Sequence, residues 1–187
     1  MPSLNEQANL SLKRTVIVAI FSAVAVVLSL IETLIPVNMS VPGAKLGLAN
    51  IMILTCLYFL RGRDALMVVI LKTLLSSFIL GTFSSFLFSI SGALLSFLAM
   101  WGLLSLGREN FSMISVSIVG GISHNIGQLG AAALYLKTTK VMSYLPVLLI
   151  AGVLTGIAVG IAVRYLIPSL SKLSLFEGFL TKPAQES

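Results

Sequence analysis

Apolar positions in this chain do not alternate with polar ones. They run together in blocks near the roughly 20 residues that cross a bilayer as an α-helix, separated by short polar breaks. Six helices are predicted: Val16–Ile35, stopped by Pro36; Ala44–Leu60; Asp64–Leu80; Phe83–Leu106; Ser112–Leu136; and Tyr144–Ile167, stopped by Pro168. The second and third are short. Arg61-Gly62-Arg63-Asp64 between them is a charged turn that must reach water, so the pair reads as a hairpin that crosses fully. Residues 1–15 read as a polar cytoplasmic N-terminus, disordered at its start, 16–168 as the transmembrane domain, and 169–187 as a cytoplasmic tail. In that tail Leu173, Leu175, Phe176 and Phe179 suit either a short interfacial amphipathic helix or a frayed end. The first apolar stretch lacks a small-x-small cleavage site followed by a soluble domain, so it reads as a retained helix rather than a signal peptide.

Composition strengthens this picture. Of 187 residues, 57% are apolar and only 10% charged, where a soluble domain runs near a quarter charged. The net charge of +6 is not a nucleic-acid signature, because the cations are spread thinly over chain ends and loops. Their distribution instead orients the chain. With the N-terminus in the cytoplasm, Lys13, Arg14, Arg61, Arg63, Arg108, Arg164, Lys172 and Lys182 lie inside, and Lys45, Lys137 and Lys140 outside. The expected fold is therefore an all-α membrane protein, a six-transmembrane-helix bundle with both termini inside.

The polar residues within the spans are the informative ones, since an ionisable side chain at the centre of a membrane helix costs about 2.5–3.5 kcal/mol on insertion scales. Lys72 lies near the middle of the third span and Glu32 one turn from the outer end of the first. His124, Asn125 and Gln128 sit halfway along the fifth, with His124 and Gln128 on one helix face. Ser89 and Ser91 add hydroxyls in the fourth. Such residues can be glue between helices, Lys72 pairing with Glu32 and the amides satisfying one another. A polar pocket accounts for the whole set together, and Lys72 with His124 suits an anionic or carbonyl-bearing ligand. The segment Pro36–Asn50, with two prolines and two glycines, reads as an outer loop, a plain connector or a lid over that pocket. Its Asn38, Lys45 and Asn50 are candidate substrate contacts.

Small residues mark two seams: Ala19 and Ala23 on the first helix, and Gly152, Gly156 and Gly160 on the sixth. Spacing of four lets helices approach backbone to backbone, and the glycine seam is expected to pack inside the bundle. The absences exclude several classes. Asp64 is the lone aspartate, His124 the lone histidine and Cys56 the lone cysteine. A protein-built metal site, a disulfide and a nucleophile–base–orienter set are not expected, and Cys56 reads as an apolar filler. No Gly-rich phosphate loop ending in Lys-Ser/Thr is present, so an energised cycle would need a gradient or a partner ATPase.

Pro42-Gly-Ala-Lys-Leu-Gly-Leu-Ala-Asn50, Gly121-Ile-Ser-His-Asn-Ile-Gly-Gln128 and the weaker Ser89-Ile-Ser-Gly92 resemble the bacterial membrane family called both "Gx transporter" and "heptaprenyl diphosphate synthase component I". The likeness covers nearly all the membrane region. Six short spans in under two hundred residues also resemble the substrate-binding S component of an energy-coupling factor (ECF) transporter. That resemblance implies a bacterial cytoplasmic-membrane subunit, without cofactor, that binds a vitamin or an isoprenoid- or quinone-related precursor. Its implied partners are that solute, membrane lipid, a T component and two ATPases, with no nucleic acid. Ala19 and Ala23 match the alanine motif by which many S components contact the T component. The other family name implies a non-catalytic membrane component of a prenyl diphosphate synthase. Enzymes of that type hold magnesium and diphosphate on aspartate-rich motifs, and this chain has no such motif. The expected role is therefore transport rather than enzymatic.

Overall fold

The computed structural model describes residues 4–34, 47–80, 83–176 and 179. Their α-helices, in chain order, are α1 (Leu4–Leu34), α2 (Asn50–Phe59), α3 (Gly62–Leu80), α4 (Phe83–Leu106), α5 (Met113–Tyr135) and α6 (Leu145–Ser171). Short 3₁₀ turns occur at Arg108–Asn110, Thr139–Tyr144 and Ser174–Phe176. No strand occurs among the described residues.

Three segments are long and apolar enough to cross a membrane: Gln7–Leu34, Phe83–Leu106 and Thr139–Ser171. Large apolar side chains on their outer faces are open, among them Val16, Ile20, Val24, Val27 and Ile31 on α1. A soluble domain would not leave such a stripe uncovered, whereas lipid tails solvate it. Helices α3 and α5 are less apolar because they carry polar residues, and they carry them on their inner faces. On α3 the buried stripe is Asp64, Ala65, Val68, Val69, Lys72, Thr73 and Ser76.

Helix α2 departs most from expectation. It begins at Asn50 rather than Ala44, and its ten residues span only about 15 Å, roughly half the hydrocarbon thickness. The cause is Gly47, whose φ of 91° belongs to the left-handed region that glycine enters without cost. It turns the chain so that Asn50 N–H donates to Gly47 O over 2.9 Å. Buried at nearly every position, α2 contacts α1, α3, α4, α5 and α6. It lies at the centre of the bundle.

The described residues near each end pack onto the bundle. The start of the chain, expected to be disordered, lies outside the described residues. Helix α1 runs back to Leu4, and its basic residues are tied down. Lys13 donates to Ser174 O over 3.0 Å, and Arg14 grips Asp64 through two contacts of 2.7 Å. Pro168 does not stop α6, which continues to Ser171. Carbonyls near the proline are taken up by hydroxyls: Ser169 donates to Tyr165 O over 2.9 Å and Ser171 to Pro168 O over 2.8 Å. Of the tail beyond α6, residues 172–176 and 179 are described. Phe176 is buried, its ring 5.9 Å from Phe21 and 4.7 Å from Phe59, and Leu175 and Phe179 pack beside the same core. Only Leu173 of the four tail hydrophobes keeps an exposed side chain.

The α5–α6 seam carries the expected close approach. A methyl group on Gly156 would stand 2.6 Å from Ile118 Cα, and one on Gly160 2.6 Å from Ile114 Cα. Gly121 and Gly152 face each other directly across the same seam.

Candidate binding site

Polar side chains in this fold converge where the turn before α2 meets α4 and α5. His124, nearly fully buried at 1% exposure, is the centre. A methyl group on Gly47 would lie 3.4 Å from its Cδ2, and one on Gly92 3.2 Å from its Cε1. These ring carbons flank Nε2, so that edge of the imidazole is held between the Gly47 turn and the middle of α4. Gln128, one turn along α5, reaches the same place: its Cγ would be 2.7 Å from the methyl on Gly92. A side chain at either glycine would occupy the space these polar groups use.

Asn50, at the start of α2, faces the cluster from the third side. Its Nδ2 would be 3.1 Å from a methyl on Gly47, and it donates to Ser96 Oγ over 3.1 Å. Its Oδ1 is buried and accepts no hydrogen bond. Ser89 Oγ, two turns before Ser96 on α4, is likewise buried without a partner. Buried acceptors and hydroxyls left unpaired cost about 1–3 kcal/mol each, so these two atoms are places where a ligand or ordered water would be stabilising.

Glu32 joins from α1. Its Oε1 accepts the Leu48 N–H over 2.5 Å, fastening the end of α1 to the turn that positions Asn50. Lys72 is 2% exposed on the inner stripe of α3, and Ser76 Oγ donates to its backbone carbonyl over 2.5 Å. Glu32, Lys72, His124 and Gln128 each engage a partner within the protein. Glu32 and Lys72 are a carboxylate and an ammonium buried within the bundle.

The remaining candidates divide. Asn125, although adjacent to His124 in sequence, points elsewhere: its Nδ2 donates to Leu148 O over 2.6 Å and lies against Gly152 in the α5–α6 seam. Ser91 is half-buried, and its carbonyl would be 2.7 Å from a methyl on Gly127, so its place is the α4–α5 crossing. Asn38, Lys45 and the Pro36–Lys45 loop fall outside the described residues. Ala19 and Ala23 are exposed on α1 among its open apolar stripe. Among the described residues no three of His, Cys, Asp and Glu come together.

Two participants were absent from the sequence reading. Ser96 completes a stripe with Ser85, Ser89 and Gly92, at three- and four-residue spacings on one face of α4, a signal the sequence does carry. Gly47 is the other. Its role depends on a fold in which the turn before α2 lands on α5, which no local pattern announces.

No curated protein and no solved structure matches the chain. The family model described as heptaprenyl diphosphate synthase component I matches residues 21–166. That stretch holds His124, Gln128, Asn50, Ser89, Glu32 and Lys72 together, and on this match the chain belongs to the heptaprenyl diphosphate synthase component I family.

Proposed function

We propose that the chain is the substrate-binding membrane subunit of an uptake transporter for a small molecule. The solute class is a vitamin or an isoprenoid- or quinone-related precursor, and a partner ATPase module energises uptake. The observation that carries this reading is the cluster around His124, where Gln128, Asn50 and the Gly47 turn converge and Asn50 Oδ1 stands buried and unpaired. An unsatisfied buried acceptor within such a cluster is a place where a donor group of a ligand would be stabilising. The solute would enter from the side of the Pro36–Lys45 loop, with Asn38 and Lys45 as further contacts.

In this reading the chain makes six crossings with both termini inside a bacterial cytoplasmic membrane. Helices α3 and α5 support it by length, about 28 and 34 Å. Charge supports the orientation, since Lys13, Arg14, Arg61 and Arg108 gather at one end of the bundle. Ala19 and Ala23, exposed on α1, would dock the T component of an ECF module.

Binding is tested on detergent-purified protein by thermal shift against a metabolite panel, followed by titration of any hit. Lys72→Ala, His124→Ala and Gln128→Ala should each weaken affinity about tenfold or more, and three unchanged affinities would sink the site. Coupling is tested by co-purification with an ECF module. Wild type should associate and the Ala19→Trp/Ala23→Trp variant should not.

The family description favours a second reading, a non-catalytic membrane component of a heptaprenyl diphosphate synthase. It predicts prenyl-chain elongation by this chain together with a soluble partner and none by that partner alone.

A further inference from the structure

At the opposite end of α2 from His124, a cavity of about 720 Å³ opens among the ends of α1, α2, α3 and α4. It belongs to neither reading above and depends on neither. Its polar lining is dominated by three guanidinium groups, Arg14, Arg61 and Arg108, against one carboxylate, Asp64. Tyr58 and Trp101 form aromatic wall.

Two of the three arginines are held rather than loose. Arg14 is fixed by its double contact with Asp64. Arg108 donates to Leu57 O over 2.7 Å and Tyr58 O over 3.2 Å, and its guanidinium sits 5.7 Å from the centre of the Tyr58 ring. Each commits two of its five N–H donors to those contacts and keeps the others. Arg61 is exposed, and it is its backbone N–H, not its side chain, that Asp64 accepts over 3.0 Å. After Asp64 is neutralised, two positive charges face the same space. A planar, multidentate donor set on a partly enclosed aromatic wall is the chemistry that recognises phosphate oxygens, and basic pockets between helix ends recognise phosphorylated headgroups.

We propose that this cavity binds a phosphate-bearing anion, with Arg61 and Arg108 as its principal contacts. The phosphate can come from a lipid headgroup or from a free soluble phosphate.

Trp101 is the only tryptophan in the chain and lines the cavity, so its emission reports occupancy directly. The full chain is placed in phosphatidylcholine nanodiscs and titrated with inorganic diphosphate, and separately placed in nanodiscs containing phosphatidylglycerol. A saturable change in Trp101 emission is expected with at least one probe. Response to diphosphate alone identifies a free phosphate as the source. A response to phosphatidylglycerol that diphosphate does not displace identifies the headgroup. Arg61→Gln, whose side chain holds none of the fold contacts named above, should weaken the response at least tenfold without changing thermal stability. Arg63→Gln, exposed and outside the cavity, should leave it unchanged. The proposal is overturned by silence of Trp101 toward both probes, by an equal effect of sodium chloride at matched ionic strength, or by Arg63→Gln weakening the response as much as Arg61→Gln.

Discussion

A methyl group on Gly92 would stand 2.7 Å from the Cγ of Gln128 and equally close to the carbonyl oxygen of His124. The side chain of Gln128 could swing aside, but the His124 carbonyl is part of α5 and cannot. Gly92→Ala therefore forces α4 and α5 apart at the point where the polar cluster forms. Overpacking of this kind costs about 1–3 kcal/mol, so a clear drop in melting temperature is expected. Cys56 supplies the readout. It is the only cysteine and fully buried, so a thiol-reactive dye should label it only as the protein unfolds. Labelling of native protein at the same rate as denatured protein would contradict the described burial, and an unchanged midpoint in Gly92→Ala would contradict the close approach.

The glycines of this bundle should respond with opposite signs. Gly156 lies against backbone, its added methyl 2.6 Å from Ile118 Cα and 2.9 Å from both Ile118 N and Ser117 O. Gly156→Ala should destabilise by about 1–3 kcal/mol. Gly102 and Gly130 are also within helices, yet nothing lies within 4 Å of a methyl group there. For Gly102→Ala and Gly130→Ala only the backbone-entropy gain remains, about 0.5–1 kcal/mol of stabilisation. Melting temperatures of the three variants in one detergent decide the point, and a common direction for all three would refute it.

The contrast between these glycines also shows what was legible in the sequence. The seam Gly152, Gly156, Gly160 was readable because a four-residue repeat of small residues has one structural use in an apolar helix. The boundaries of α3, α4 and α5 followed from charge and hydropathy within two residues. Three features were not readable. Gly47 shortens α2 through a positive φ, and glycine in a loop carries no mark of the conformation it adopts. Pro168 stays within α6, which runs on to Ser171 with Ile167 buried in the core, and no local pattern distinguishes such a proline from one that ends a helix. His124 and Asn125 are neighbours in one polar run, but the roughly 100° turn between successive helix residues sends one toward the Gly47 turn and the other into the α5–α6 seam. The site's residue types were visible in the sequence, and their partition between binding cluster and packing seam was not.

Arg14 and Asp64 make a pair whose two halves should not be equivalent. The Asp64 side chain is 6% exposed and the Arg14 side chain 32%. Removing Arg14 leaves a buried carboxylate supported chiefly by the Arg61 N–H, and an uncompensated buried charge is costly. Removing the Asp64 charge leaves a guanidinium that can turn toward water. Arg14→Gln should therefore destabilise more than Asp64→Asn, by about 1–3 kcal/mol against roughly half that. The double variant should lie well short of the sum. Equal single effects, or simple additivity, would show that the pair contributes little to holding α1 against α3.

Asn50 and Asn125 should separate binding from packing. Both are buried and each uses its Nδ2 once, Asn50 toward Ser96 Oγ and Asn125 toward Leu148 O. The surroundings differ. Asn50 lies beside Gly47 at the His124 cluster, whereas Asn125 is wedged against Gly152 between two closely packed helices. Asn125→Ala removes a 2.6 Å bond across the tightest seam and leaves a void there, so stability should fall by about 1–2 kcal/mol with ligand affinity unchanged. The Oδ1 of both amides is unpaired, and Asn50→Ala removes only a longer bond, 3.1 Å to Ser96 Oγ, outside that seam. Its cost in stability should be smaller, while affinity for a ligand identified by thermal shift should fall about tenfold, the worth of one buried hydrogen bond. Melting temperature and dissociation constant, measured on both variants, form a two-by-two test. If Asn125→Ala impaired binding and Asn50→Ala did not, the pocket would lie between α5 and α6 rather than around His124.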